Sequence, residues 1–203
     1  MFRLVVISAP TALPDEARLL AAVLGAGHET LHLRKPGWPA AQVESLIRAL
    51  PSHFHSRLVL HDHAELVRRY CLGGLHLTGR QRAATARRPP LLPGQTLSTS
   101  FHSLAEISRH RRHYDYVFLS PIFDSISKPG YGSAFRLPEL RAFFRQRAAR
   151  AGYQPPVLAL GGIDAQNLVL VQDTDFAGAA VLGTLWQSPD PAGALRRLQA
   201  AGR

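Results

Sequence analysis

Residues able to do chemistry concentrate in one stretch of this 203-residue chain, Tyr114 to Gly132 (YDYVFLSPIFDSISKPGYG). Its first half, Tyr116 to Leu119, is aromatic and β-branched and predicts a buried strand. Its second half carries Ser120, Ser125, Ser127 and Lys128, followed by glycines. Hydroxyls donate hydrogen bonds, Lys128 supplies a compact positive charge, and glycine lets the backbone approach a ligand closely, so the combination suits an anion. Taken alone, the stretch also reads as a turn-rich surface loop that happens to hold serines.

The rest of the chain repeats the pattern of polar residues placed where apolar runs end. These are His32, Arg34 and Lys35; His61, Asp62 and His63; His76 and Thr78; Ser100 and His102; Gly161 and Gly162; and Gly183 and Thr184. Core packing does not by itself put polar groups there, so a binding site at the strand ends is expected. Ala159–Ile163 (ALGGI) followed by Ala180–Thr184 (AVLGT) suggests backbone N–H groups gripping a phosphate. The strand-end histidines titrate near neutrality and could serve as acids or bases. His61 and His63 with Asp62 could in principle ligate a metal. In a strand, however, Asp62 would point away from its two neighbours. His28, His53, His55, His110 and His113 read as surface or loop histidines.

The elements that must position these groups alternate. Strands are expected at Phe2–Ser8, Leu31–Lys35, Arg57–Asp62, Gly74–Thr78, Gln95–Phe101, Tyr114–Ile122, Pro156–Ile163 and Phe176–Leu182. Helices are expected at Asp15–Gly27, Pro39–Leu50, His63–Cys71, from Ser103 as N-cap, at about Leu137–Arg150, from about Asp164, and at Pro189–Ala201. Gly79–Gly94 suits a loop with one short helix. The strands are continuous apolar runs, as in parallel sheets covered on both faces. Eight such units predict an α/β fold, a (β/α)8 TIM barrel forming a single domain over residues 1–203. A doubly wound open sheet usually brings a glycine-rich turn after its first strand, and Ser8-Ala9-Pro10-Thr11-Ala12 is not one.

Composition narrows the function classes. The formal net charge of +10 comes from 24 Lys and Arg against 14 Asp and Glu. Such a field attracts phosphorylated metabolites, but no nucleic-acid-binding signature accompanies it, so no nucleic-acid partner is expected. One cysteine, Cys71, excludes a disulfide within the chain and a Cys-based zinc site. The apolar run Met1–Pro10 is too short for a signal core or a membrane span, so a cytoplasmic protein without a membrane partner is expected. A homo-oligomer stays open.

With these residues in place, the chain resembles the thiamine phosphate synthases and their TenI-like relatives from about Leu4 to Leu198. The carrying pieces are LHLRKP, His61-Asp62, GLHLTG, STSFHS, YDYVFLSPIFDSISK, LALGGI and GAAVLGTLW, in the family's order. The resemblance implies the same barrel and a transferase that joins hydroxymethylpyrimidine diphosphate to a thiazole phosphate, giving thiamine phosphate and pyrophosphate with magnesium assisting. TenI-like tautomerases instead move protons on the thiazole phosphate without metal, and a non-catalytic thiazole-phosphate-binding relative is a further alternative. The partners implied are the phosphorylated thiazole and pyrimidine.

The resemblance also assigns roles. Ser125, Ser127 and Lys128 match the phosphate-contacting loop, Ser100 and His102 match a Ser-Thr-His piece, and Arg34 matches the diphosphate-binding arginine. Asp62 matches the first magnesium carboxylate. Gly161, Gly162, Gly183 and Thr184 match the thiazole-phosphate grip. Catalytic roles fall to Arg34, Lys128, Ser100 and His32, with His32, Lys35 and His61 also at the substrate. Several positions depart from the family pattern. His32 replaces a Gln, Pro36 a Lys (Lys35 lies one place earlier), His61 an Asn, and Gln81 the second magnesium carboxylate. Pro121 stands where the tautomerases have a His.

Overall fold

In the computed structural model, residues 2–27, 30–124, 133 and 135–202 are described. Eight strands run in order: β1 (Arg3–Ile7), β2 (Thr30–Leu33), β3 (Leu58–Leu60), β4 (Gly74–Leu77), β5 (Thr96–Phe101), β6 (Tyr116–Leu119), β7 (Val157–Leu160) and β8 (Gly178–Val181). The helices are α1 (Glu16–Gly25), α2 (Ala40–Ala49), α3 (Ala64–Arg69), α4 (Gly79–Ala84), α5 (Leu104–Arg109), α6 (Leu137–Ala148), α7 (Leu168–Gln172), α8 (Gly183–Trp186) and α9 (Pro191–Ala201). Every strand pairs in parallel with the next, and β8 returns to β1 with Val6 opposite Val181, closing the expected barrel.

Local chemistry sets the helix starts. The Thr78 hydroxyl accepts from the Gln81 N–H while the Gln81 side chain returns to the Thr78 N–H, a capping box for α4. The Ser103 hydroxyl accepts from the Glu106 N–H at 3.2 Å and opens α5 as expected. Helix α7 begins at Leu168 rather than near Asp164, because the Asp164 carboxylate takes the N–H groups of Gln166 and Asn167 in a turn of its own. The 3-10 turn at Ser52–Arg57 was not expected, since SHFHSR has no helical period.

Strand alternation divides the core in two. Outward residues such as Leu31, Leu33, Leu75, Leu97, Val117 and Ala159 pack under helix residues including Leu20, Leu24, Ile47, Leu140 and Leu195. Inward residues of β1, β6, β7 and β8 form a second cluster of Val5, Ile7, Tyr116, Phe118, Leu158 and Ala180. The inward positions of β2 to β5 are different: His32, His61 and His76 are buried there with Ser98. Among the described residues, no helix is long and apolar enough to cross a membrane.

Candidate active site

The strand C-termini form one rim, and Ser8 sets its geometry at the end of β1. Its N–H donates to the His32 carbonyl at 2.8 Å, and its hydroxyl accepts from the Arg34 N–H at 2.9 Å. These bonds fix the chain where β2 ends and hold Arg34 at the rim. Arg34 is half-buried, and its guanidinium pairs with no carboxylate among the described residues. Lys35, one residue on, turns the other way. Its ammonium donates to the Ala9 and Thr11 carbonyls, both at 2.8 Å, and to the Glu16 carboxylate. Three protons meet three acceptors in a buried pair, so Lys35 pins the β1–α1 loop instead of reaching substrate as expected.

His32 needs a second correction. It has no exposed surface, its Nε2 lies 2.6 Å from the Tyr116 hydroxyl, and its Nδ1 lies 3.0 Å from His61 Nε2. The side chain therefore sits below the rim, where it orients His61 and does not face the mouth as a proton carrier. His61 in turn stacks on His76 with centroids 4.2 Å apart. His76 Nδ1 and Nε2 reach the hydroxyls of Ser98 and Ser100 at 2.9 and 3.0 Å. Burial pulls both imidazoles down, His61 well below the ordinary range and His76 to about 3, with the positive charges of neighbouring groups, Arg34 among them, adding to the shift. Both rings are neutral at pH 7. The sequence flagged His61 for its neighbours Asp62 and His63, whereas the barrel joins it to His32 and His76 from the flanking strands. His63 instead precedes α3 and bonds the Trp38 carbonyl at 2.9 Å.

Asp62 is exposed just past β3, with one carboxylate oxygen accepting the His63 N–H at 2.9 Å. The second carboxylate position of the family pattern is Gln81, whose amide is fully employed. Its oxygen accepts from Thr78, and its nitrogen donates to the His61 carbonyl at 3.0 Å. A carboxylate could not make that last bond. Asp62 thus offers one free oxygen, which fits a magnesium ion brought in by phosphate oxygens better than an ion held in an all-protein cage.

On the other side of the rim, His102 Nδ1 lies 3.0 Å from the Ser120 carbonyl oxygen and ties the ends of β5 and β6 together. Gly161 and Gly162 have φ of +102° and +64°. A Cβ on Gly161 would come within 2.9 Å of Pro121, and one on Gly162 within 2.3 Å of the Asp124 carbonyl oxygen, so only glycine lets the β7 and β6 loops meet. The Thr184 hydroxyl donates to the Ile163 carbonyl at 2.5 Å and joins the β7 and β8 ends. Gly183 and Thr184 open α8, where the first N–H groups of a helix lack intrahelical acceptors. Ser125, Ser127 and Lys128 lie outside the described residues. Sequence reasoning missed Ser8, Ser98, Tyr116 and Glu16 as partners. The alternation in STSF was a signal for Ser98, while Glu16 carried none.

A family model for thiamine monophosphate synthase matches residues 4–185. The chain belongs to that family. It is 29% identical over 154 residues to the thiamine-phosphate synthase of Desulfitobacterium hafniense strain DCB-2, covering 75% of this chain and 71% of that one. It is 25% identical over 187 residues to the Bacteroides thetaiotaomicron thiamine-phosphate synthase, covering 90% and 88%. The crystal structure of a thiamine phosphate pyrophosphorylase from B. thetaiotaomicron superposes with a TM-score of 0.81 at 32% identity, covering 98% of this chain and 97% of that one. A Pyrococcus furiosus thiamine phosphate pyrophosphorylase shares the fold, with a TM-score of 0.76 at 18% identity. Within this thiamine monophosphate synthase barrel, the two departures His32 and His61 are not scattered. They touch each other, and His61 covers His76.

Proposed function

We propose that the chain is a thiamine phosphate synthase-like transferase that condenses hydroxymethylpyrimidine diphosphate with thiazole phosphate at the strand C-termini. The observation that carries this reading is the arrangement of anion-binding groups around one rim. Arg34 and Asp62 follow β2 and β3, and Gly161-Gly162 follows β7, which faces β3 across an eight-strand ring. Two phosphorylated substrates entering from opposite sides would bring the pyrimidine methylene carbon, which loses pyrophosphate, and the thiazole nitrogen that bonds to it together at the centre, and such positioning is a large part of the rate gain for a bimolecular step.

Arg34 is the diphosphate clamp: it is planar, permanently charged and held by Ser8 without a competing carboxylate among the described residues. Ser100 offers its hydroxyl to the pyrimidine, with His76 Nε2 3.0 Å behind it as its partner in the protein. The N–H groups of the β7 and β8 loops take the thiazole phosphate, joined by Ser125, Ser127 and Lys128. Asp62 would hold magnesium together with substrate oxygens, and the bound ion would stabilise charge on the departing pyrophosphate. Tautomerisation has less support, because Pro121 occupies the histidine position of those enzymes and His32 is enclosed.

Arg34→Ala tests the division of the pocket. Calorimetry should show pyrimidine-diphosphate binding weakened by about 1.5–3 kcal/mol, as for a lost charged hydrogen bond, with thiazole-phosphate binding retained. Equal losses for both ligands would refute the assignment.

A further inference from the structure

The three histidines under the rim do more than fill space. His32 on β2, His61 just past β3 and His76 on β4 each contribute one ring nitrogen to a group lying within 4.8 Å of one another, with no carboxylate among them. We propose that these imidazoles form a site for a divalent transition ion of the zinc class, separate from the magnesium carboxylate Asp62.

The pair His32 Nδ1 and His61 Nε2 stands 3.0 Å apart. Zinc–nitrogen bonds of about 2.0–2.1 Å in a tetrahedron set ligand nitrogens roughly 3.3 Å from each other. Two ligands therefore already have nearly the required spacing, and the ligand nitrogen of His76 lies within 4.8 Å of both. The outer partners are in place as well. With the proton of His32 on Nε2, 2.6 Å from the Tyr116 hydroxyl, and that of His76 on Nδ1, 2.9 Å from the Ser98 hydroxyl, both outer bonds are kept. Such bonds fix the tautomer that turns the other nitrogen toward a metal. His61 has only to move its proton from Nε2 to Nδ1, so the ion enters without net proton release. His76 gives up Ser100 as its Nε2 partner, which leaves that hydroxyl for the fourth ligand.

The donor set decides the kind of ion. Imidazoles suit zinc, copper and nickel, whereas magnesium demands oxygen. Burial keeps His61 and His76 neutral, with lone pairs available at pH 7. Arg34 opposes a dication nearby, which favours an anionic oxygen as fourth ligand. His61 is the least enclosed of the three and lies nearest the rim, so the ion enters from the mouth of the barrel.

The test uses the tag-free full chain, stripped with EDTA and titrated with Co2+ as a spectroscopic probe. The expected result is one Co2+ per chain with the strong visible bands of tetrahedral coordination, displaced by Zn2+. His76→Gln should weaken binding at least tenfold. Ser98→Ala, which keeps all three ligands and carries the test should His76→Gln fail to fold, should weaken it about tenfold. Asp62→Asn should leave the spectrum unchanged. Absence of saturable tetrahedral Co2+, binding unaltered in both His76→Gln and Ser98→Ala, or loss of the bands in Asp62→Asn would each overturn the proposal.

Discussion

The barrel interior has two halves built on the same strand geometry with opposite chemistry. On β1 and β6 to β8, Val5, Ile7, Phe118, Leu158 and Ala180 pack as an apolar wedge. On β2 to β5 the inward positions hold His32, His61, His76, Ser98 and Ser100, linked ring to ring and ring to hydroxyl. Phe118 stands between them, with its ring centroid 5.1 Å from His32 and 5.2 Å from His76. The apolar half gains stability directly from burial. The polar half is stable only while each buried group keeps its partner, because an unpaired polar group in the interior is costly. That exacting arrangement lies under Arg34, Asp62 and Ser100, where groups must be held in fixed positions.

Acid should separate the halves most strongly. His76 is held neutral down to about pH 3, while the same ring in the unfolded chain protonates near its ordinary value of 6.5. As pH falls from 6.5 toward 3, the unfolded chain takes up a proton that the folded chain refuses, so stability is lost across that window and levels off below it. The shift corresponds to on the order of 5 kcal/mol for His76. Urea denaturation at a series of pH values should give a curve flatter by about that amount in His76→Gln. Parallel curves for the two proteins would contradict the assignment.

The apolar half should respond to volume rather than pH. Leu158→Ala should cost about 3 kcal/mol from lost burial and the cavity left behind, equally at pH 7 and pH 5. A loss that grew with acidity would mean that the two halves are not distinct. The smallest effect is expected for Ser98→Ala, at about 1–2 kcal/mol, because His76 keeps Ser100 while losing one partner. A neutral result by thermal denaturation would mean that Ser98 does not hold the ring.

The sequence was informative wherever a signal was local. Continuous apolar runs marked all eight strands, and the cap at Ser103 lies within its own segment. The strand-end rule likewise pointed to Arg34, Asp62, Ser100, Gly161 and Thr184 at the rim. What it missed depends on contacts between distant segments. Lys35 carries the same charge whether it faces a phosphate or Glu16, and only the return of α1 over β1 decides which. His32 lies 29 residues from His61 and 84 from Tyr116, so closure of the barrel, not spacing, brings them together. Gln81 shows the same limit: its neutrality was visible, but its bond to the His61 carbonyl was not.

The condensation reaction is tested by incubating the purified chain with hydroxymethylpyrimidine diphosphate and thiazole phosphate, with magnesium or with EDTA, and following thiamine phosphate. Magnesium-dependent product is expected, with Asp62 and substrate oxygens sufficing where Gln81 replaces a carboxylate. No product in magnesium, while thiazole phosphate still binds by calorimetry, would contradict it.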